Sequence, residues 1–172
     1  GFSAEVCFFP RIYTMTIFGK ASAWKIATDG DGYPYASVWI GTVQISTSVA
    51  AVNVIEPDRR TYLSISHDGT TLRLYRDGIQ IASVAAVGTI DDPVGSLTLG
   101  KVGSDFAQMS VEFAAYFPVA LTATQFGNHF NTFDLYNLDR IVQDGVTSLP
   151  YYGGTGQTLL TLLNELSFEE IS

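Results

Sequence analysis

Apolar and polar positions alternate in short runs through residues 1–133, and Gly, Asp or Pro interrupts each run. Alternation with period two marks strands that bury one face. Phe2, Ala4, Val6 and Phe8 alternate with Ser3, Glu5, Cys7 and Phe9, which predicts a strand that Pro10 ends. Met15 and Ile17 predict a second strand, broken at Gly19. Residues 24–28 and 33–40 predict a hairpin around Asp29-Gly30-Asp31-Gly32. Pro34 has no amide proton, so the second arm starts after it or lies at an edge. Further strands are expected at 42–46, at 49–55 and around Leu97 and Leu99. Met109, Val111, Phe113, Ala115 and Phe117 then share one face of a strand that Pro118 stops. Thr122 and Gln125 form a capping-box pattern, with Leu121 and Phe126 placed as a hydrophobic staple, so a short helix is expected near 122–131.

The rest is organised around residues 61–84, TYLSISHDGTTLRLYRDGIQIASV. Asp68-Gly69 and Asp77-Gly78 each separate alternating apolar residues, a strong local hairpin signal. With two-residue turns at both, Leu63 faces Leu74, Leu74 faces Ile81, and Ile65 faces Leu72. Tyr62 and Tyr75 fall on the opposite face of this meander.

This stretch resembles the central signature of the concanavalin A-like lectin/glucanase superfamily in its laminin G-like branch: a strand, a DG-T-L-LY-DG hairpin and a following strand. Residues 2–10 resemble the family's early strand ending in proline. Ser96-Leu97-Thr98-Leu99-Gly100-Lys101 resembles its L-I-G strand, and residues 109–117 with 121–126 resemble its closing strand and short helix. The resemblance covers roughly residues 2–131 and implies an all-β fold, a concanavalin A-like jelly-roll β-sandwich over residues 1–133. It says less about function, because the superfamily includes lectins, adhesion domains, glucanases and plain structural modules. The family's usual first strand, ahead of Phe2, has no counterpart; the expectation is either that an upstream domain has been cut away or that another segment fills its place. With Gly1 rather than Met at the start, the chain is expected to be a processed product or a fragment of something longer.

Composition narrows the partners. The formal charge of −8 argues against non-specific nucleic-acid binding and against an anionic membrane surface. No apolar run is long enough for membrane insertion. Cys7 stands alone, which leaves no internal disulfide and no cysteine-based zinc site.

Glycoside hydrolysis needs two carboxylates flanking the scissile bond. Glu5, Glu56 and Glu112 are solitary, while Asp91-Asp92 and Glu169-Glu170 are adjacent pairs whose members point to opposite sides of an extended chain. The chain is therefore read as a non-enzyme. Aromatic rings are the usual platform for sugars, and Trp24, Tyr33, Tyr35 and Trp39 gather on one hairpin. Tyr33, Tyr35, Trp39, Tyr151 and Tyr152 are the carbohydrate-binding candidates, although large aromatics, the two tryptophans above all, also serve as core. Asp29 and Asp31 are the candidate ligands for Ca2+, with Asp91, Asp92 and Asp105 placed to approach a rim. Such Asp/Gly turns more often exist for their φ angles, and that reading is preferred. No cofactor is otherwise implied.

Residues 134–172 continue beyond the resemblance as an expected helical C-terminal extension. Leu135, Leu138, Ile141 and Val142 have helical spacing, and Leu159, Leu162, Leu163 and Leu166 fall at i, i+3, i+4 and i+7. Such a stripe must cover either the sandwich or a neighbouring subunit, and assembly is the favoured use. Scarce lysine, few charges and abundant Thr, Ser, Gly and Ala suit a virion accessory domain. The expected role is thus a non-catalytic, surface-exposed structural or recognition module of a phage tail or capsid, with other protein subunits as partners. The alternative is a lectin-like, glycan-binding adhesion domain of a secreted or cell-surface protein. Localisation is accordingly expected to be virion or extracellular.

Overall fold

The computed structural model describes residues 1–132 apart from 14, 50–52 and 103–104. The alternating runs become strands: β1 (Phe2–Pro10), β2 (Met15–Lys20), β3 (Trp24–Thr28), β4 (Pro34–Ile40), β5 (Val43–Ser46), β6 (Thr61–His67), β7 (Thr71–Arg76), β8 (Ile79–Ala85), β9 (Leu97–Leu99), β10 (Lys101–Val102), β11 (Asp105–Phe106) and β12 (Met109–Phe117). A helix, α1, follows over residues 123–132. One five-stranded sheet has the order β12-β1-β6-β7-β8, the other β5-β4-β3-β2-β9, and every pairing in them is antiparallel. The inner faces share one core: Ala4, Val6 and Phe8 of β1 and Leu63 and Ile65 of β6 meet Ile17, Ile26 and Val38 from the other sheet. This is an all-β sandwich with a short helix.

Strand existence followed the sequence closely, apart from the short unexpected strands β10 and β11 and one segment expected as a strand. Val49 and residues 53–55 lie outside strands, although a strand was expected over 49–55. Ile55 is buried in the core, while the carbonyls of Asn53 and Val54 each accept from Arg76 Nη1 at 3.0 Å. A guanidinium, not a ladder, satisfies these groups. β4 begins at Pro34 itself and runs between β3 and β5. The missing amide costs little there, because Pro34 pairs only with Thr28 at the ladder's end.

Register differs from expectation in two places. Leu63 pairs with Arg76, Ile65 with Leu74 and His67 with Leu72. The tip of the first turn is Gly69-Thr70, not Asp68-Gly69, and only Gly69 has positive φ. The cause is the Asp68 carboxylate, whose Oδ1 accepts from the amides of Thr70 and Thr71 at 2.9 Å each and whose Oδ2 pairs with Arg73 at 2.6 Å. This holds Asp68 at the strand end and moves each partner by two residues. An even shift keeps every side chain on its expected face. At the second turn Asp77 and Gly78 both have positive φ, as a two-residue turn requires. A bulge then skips Ile81, so Leu74 pairs with Ala82.

A second bulge changes a face. β12 pairs Phe113 with Cys7 and Val111 with Phe8, passing over Glu112. Met109 and Val111 pack on the sandwich core, but Phe117 joins Tyr75, Leu121 and Phe126 in a separate cluster under α1. The five alternating residues of β12 therefore do not share one face.

The helix forms where the capping box placed it. Gln125 N donates to Thr122 Oγ1 at 3.3 Å, and Thr122 N donates back to Gln125 Oε1 at 2.9 Å. Gly78, at φ 77°, lies under the helix, where an added Cβ would come within 2.7 Å of Gly127 Cα. The expected extension at 134–172, including the leucine stripe, lies outside the described residues.

Candidate functional site

At one end of the sandwich the starts of β1 and β3, the end of β12 and the loop after β8 frame a cleft of about 520 Å3. Its floor is a stack of rings. Phe2, Trp24 and Tyr116 stand with centroids 5.3 Å apart for Phe2–Trp24 and 5.9 Å for each pair involving Tyr116. Tyr116 lies nearly parallel to Trp24, at 16°, and 43% of it is exposed. Trp24 and Phe2 are buried behind it, so the Tyr116 ring is held flat from below while part of it remains open.

The rim is polar. Lys20 makes an ion pair with Asp92; the lysine side chain is 18% exposed and the aspartate 82%. Asp91 turns the other way: its two oxygens accept from the amides of Gly41 at 2.9 Å and Thr42 at 2.8 Å, and its own amide donates to Trp39 O. These bonds tie the loop to the β4–β5 turn. Gly88, at φ 135°, lets the loop pass Ile40, where a Cβ would come within 2.8 Å of Cγ2. His67 is buried with Nε2 2.7 Å from Ala86 O.

The sequence candidates fall elsewhere. Tyr33, just before β4, and Tyr35 and Trp39 on the outer face of β4 are all half-buried. Beside them Ser37 and Ser46 hydroxyls lie 2.8 Å apart and Gln44 Nε2 donates to both, while Lys25 Nζ sits 5.3 Å above the Tyr35 ring. Trp24 is core, as expected of large aromatics, whereas Trp39 is not fully buried. Asp29 Oδ1 accepts from the amides of Asp31 at 3.0 Å and Tyr33 at 2.8 Å, so this carboxylate shapes its own turn. Among the described residues no group of three or more His, Cys, Asp or Glu is placed to hold a metal. Tyr151 and Tyr152 lie outside the described residues.

Tyr116, Lys20 and the open side of the ring stack were not legible as a site. The bulge at Glu112 puts Tyr116 on the core side of β12, and Lys20 and Asp92 are 72 residues apart in sequence. The only local trace was the pair Asp91-Asp92 in a glycine-bounded loop.

A second polar cluster lies between β1 and α1, with Glu5 buried and the His129 side chain 42% exposed. Glu5 on β1 is fully buried, accepts the Tyr62 hydroxyl proton and has Oε1 2.8 Å from His129 Nδ1 on α1. Burial pushes its carboxyl above the usual range, and the contact with His129 partly opposes this. Burial likewise raises the Cys7 thiol, to about 12, so it stays protonated with Sγ 3.3 Å from Glu112 Oε2. The Glu5–His129 contact joins the helix to the sheet, and the Cys7–Glu112 contact joins β1 to β12.

No protein-family model matches the sequence, and neither does any curated protein sequence. Solved structures of similar fold do exist. The receptor-binding domain of botulinum neurotoxin type G aligns over 76% of this chain and 38% of its own, at 15% identity and TM-score 0.53. The binding domain of botulinum neurotoxin DC, solved in complex with SialylT, aligns over 76% and 35% at 14% identity and TM-score 0.56. The binding domain of paraclostridial mosquitocidal protein 1 aligns over 77% and 37% at 18% identity and TM-score 0.57. At these identities the likeness is one of fold: an all-β sandwich. The chain spans little more than a third of the length of those domains. No helix among the described residues is long and apolar enough to cross a membrane.

Proposed function

We propose that the chain is a non-catalytic recognition module that binds carbohydrate through its end cleft, as part of a larger extracellular protein. The observation that carries this reading is the Tyr116 ring, backed by Trp24 and Phe2 and left open beside a polar rim. Sugar sites combine an apolar ring face with a few placed polar groups, and this cleft has both. The binding domains that share its fold, one of them solved with SialylT, lend further support. In finer classification the sandwich is proposed as a concanavalin A-like, laminin G-like jelly roll. The row of Tyr33, Tyr35 and Trp39 along and just before β4 is a second contact surface in this proposal.

Screening the chain against an array of immobilised glycans tests it. Saturable binding that Tyr116→Ala weakens by about tenfold or more is expected, the loss of one well-placed ring contact. Absence of any glycan binding overturns the reading and favours the other one, a virion accessory domain. That alternative draws on the leucine stripe of Leu159, Leu162, Leu163 and Leu166, and it predicts a fixed oligomer.

A further inference from the structure

We infer that the end cleft selects neutral sugar termini and discriminates against acidic ones; this rests on the carbohydrate reading above. Every charged side chain that lines the cleft is already matched. Asp91 spends both oxygens on backbone amides of the β4–β5 turn. Lys20 is the lysine on this lining, and Asp92 pairs with it: the half-buried lysine is the less exposed member and the carboxylate the more exposed one. An arriving ligand therefore meets Asp92 before it meets Lys20.

That order of approach sets the chemistry. A carboxylate held through Oδ1 by a half-buried lysine has unused lone pairs on Oδ2, which accept hydrogen bonds from the hydroxyls of a hexose. A sialic acid carboxylate or a sulfate offers no proton there and sets like charge against like. Binding an acidic group through Lys20 would require the ammonium to turn from Asp92 and give up the pair already formed there. The ring face of Tyr116 meanwhile suits the apolar side of a neutral pyranose equally well whatever its linkage. Selectivity thus resides in the Lys20–Asp92 pair and adhesion in the Tyr116 stack.

The test uses the full chain and matched glycans: neutral hexose-terminated structures beside the same structures capped with sialic acid or sulfate. Neutral forms should bind about tenfold or more tightly than their capped counterparts, as like-charge contact demands. Asp92→Asn uncovers the Lys20 ammonium on an exposed loop, and should shrink or invert that preference; Tyr116→Ala should weaken both classes together. Equal or stronger binding of the acidic forms by the native chain overturns the inference while leaving the carbohydrate reading intact. An unchanged preference in Asp92→Asn also overturns it, because the pair would then not be the selector. If no glycan of either class binds, both readings fall.

Discussion

β4 and β6 both alternate in side-chain character, yet Tyr35 and Trp39 of β4 keep part of their rings in solvent while all seven residues of β6 are buried. Among the described residues nothing covers the outer face of the sheet containing β4, where Ser37, Gln44 and Ser46 satisfy one another. The sheet containing β6 is covered on its outer face by α1 and the residues leading into it: Phe126 and Leu121 cluster with Tyr75, and Phe130 sits beside Tyr62. The polar set of β1 and β6 is consequently interior. Glu5 finds Tyr62 and His129, Ser3 Oγ accepts from Leu121 N at 2.7 Å, and the Ser64 hydroxyl is buried without a partner among the described residues. The same period-two pattern thus produces a solvated face in one sheet and a second, partly polar core in the other. What differs is the cover.

If α1 makes a true second core, Phe126→Ala should cost about 3–5 kcal/mol, as much as a truncation between the sheets. A urea titration giving less than about 1 kcal/mol would reduce α1 to a loose cover. Leu74→Ala, in the sandwich core, is expected to cost about 2–5 kcal/mol and sets the standard for that comparison.

The covered polar face should also leave a signature in pH. Burial raises the Glu5 carboxyl above its ordinary 4.5, so the folded state holds that proton more tightly than the unfolded one. This contribution to stability is complete below about 4.5 and is lost as pH rises through the raised value. Glu5→Gln carries no such ionisation. Beyond a constant cost for replacing one accepting oxygen by a donor, its melting temperature should gain on the native protein's as pH climbs from 4 toward 7. A gap that stays constant would mean that Glu5 is not buried as described. The smallest effect belongs to the open face. Trp39→Ala should change stability by no more than about 1 kcal/mol, because the ring is only partly withdrawn from water; a loss like that of Leu74→Ala would show that this face is covered after all.

The sequence by itself determined where β1, β4, β6, β7, β8 and β12 form, which face of the meander turns inward, and where α1 starts. These are local matters: alternation is written residue by residue, and a capping box closes within four positions. It misread 49–55, where apolar β-branched residues suit a strand but Arg76 takes the carbonyls instead. Tertiary structure decided the rest. Asp68's bonds moved the first turn by one residue, the bulge at Glu112 turned Tyr116 toward Trp24, and α1 folded back over Glu5. The cleft joins Phe2, Trp24 and Tyr116 from three strands and Lys20 with Asp92 from opposite ends of a long chain segment. Alternation states which side of a strand a residue occupies. Only the packed sheets and their loops decide what waits on that side.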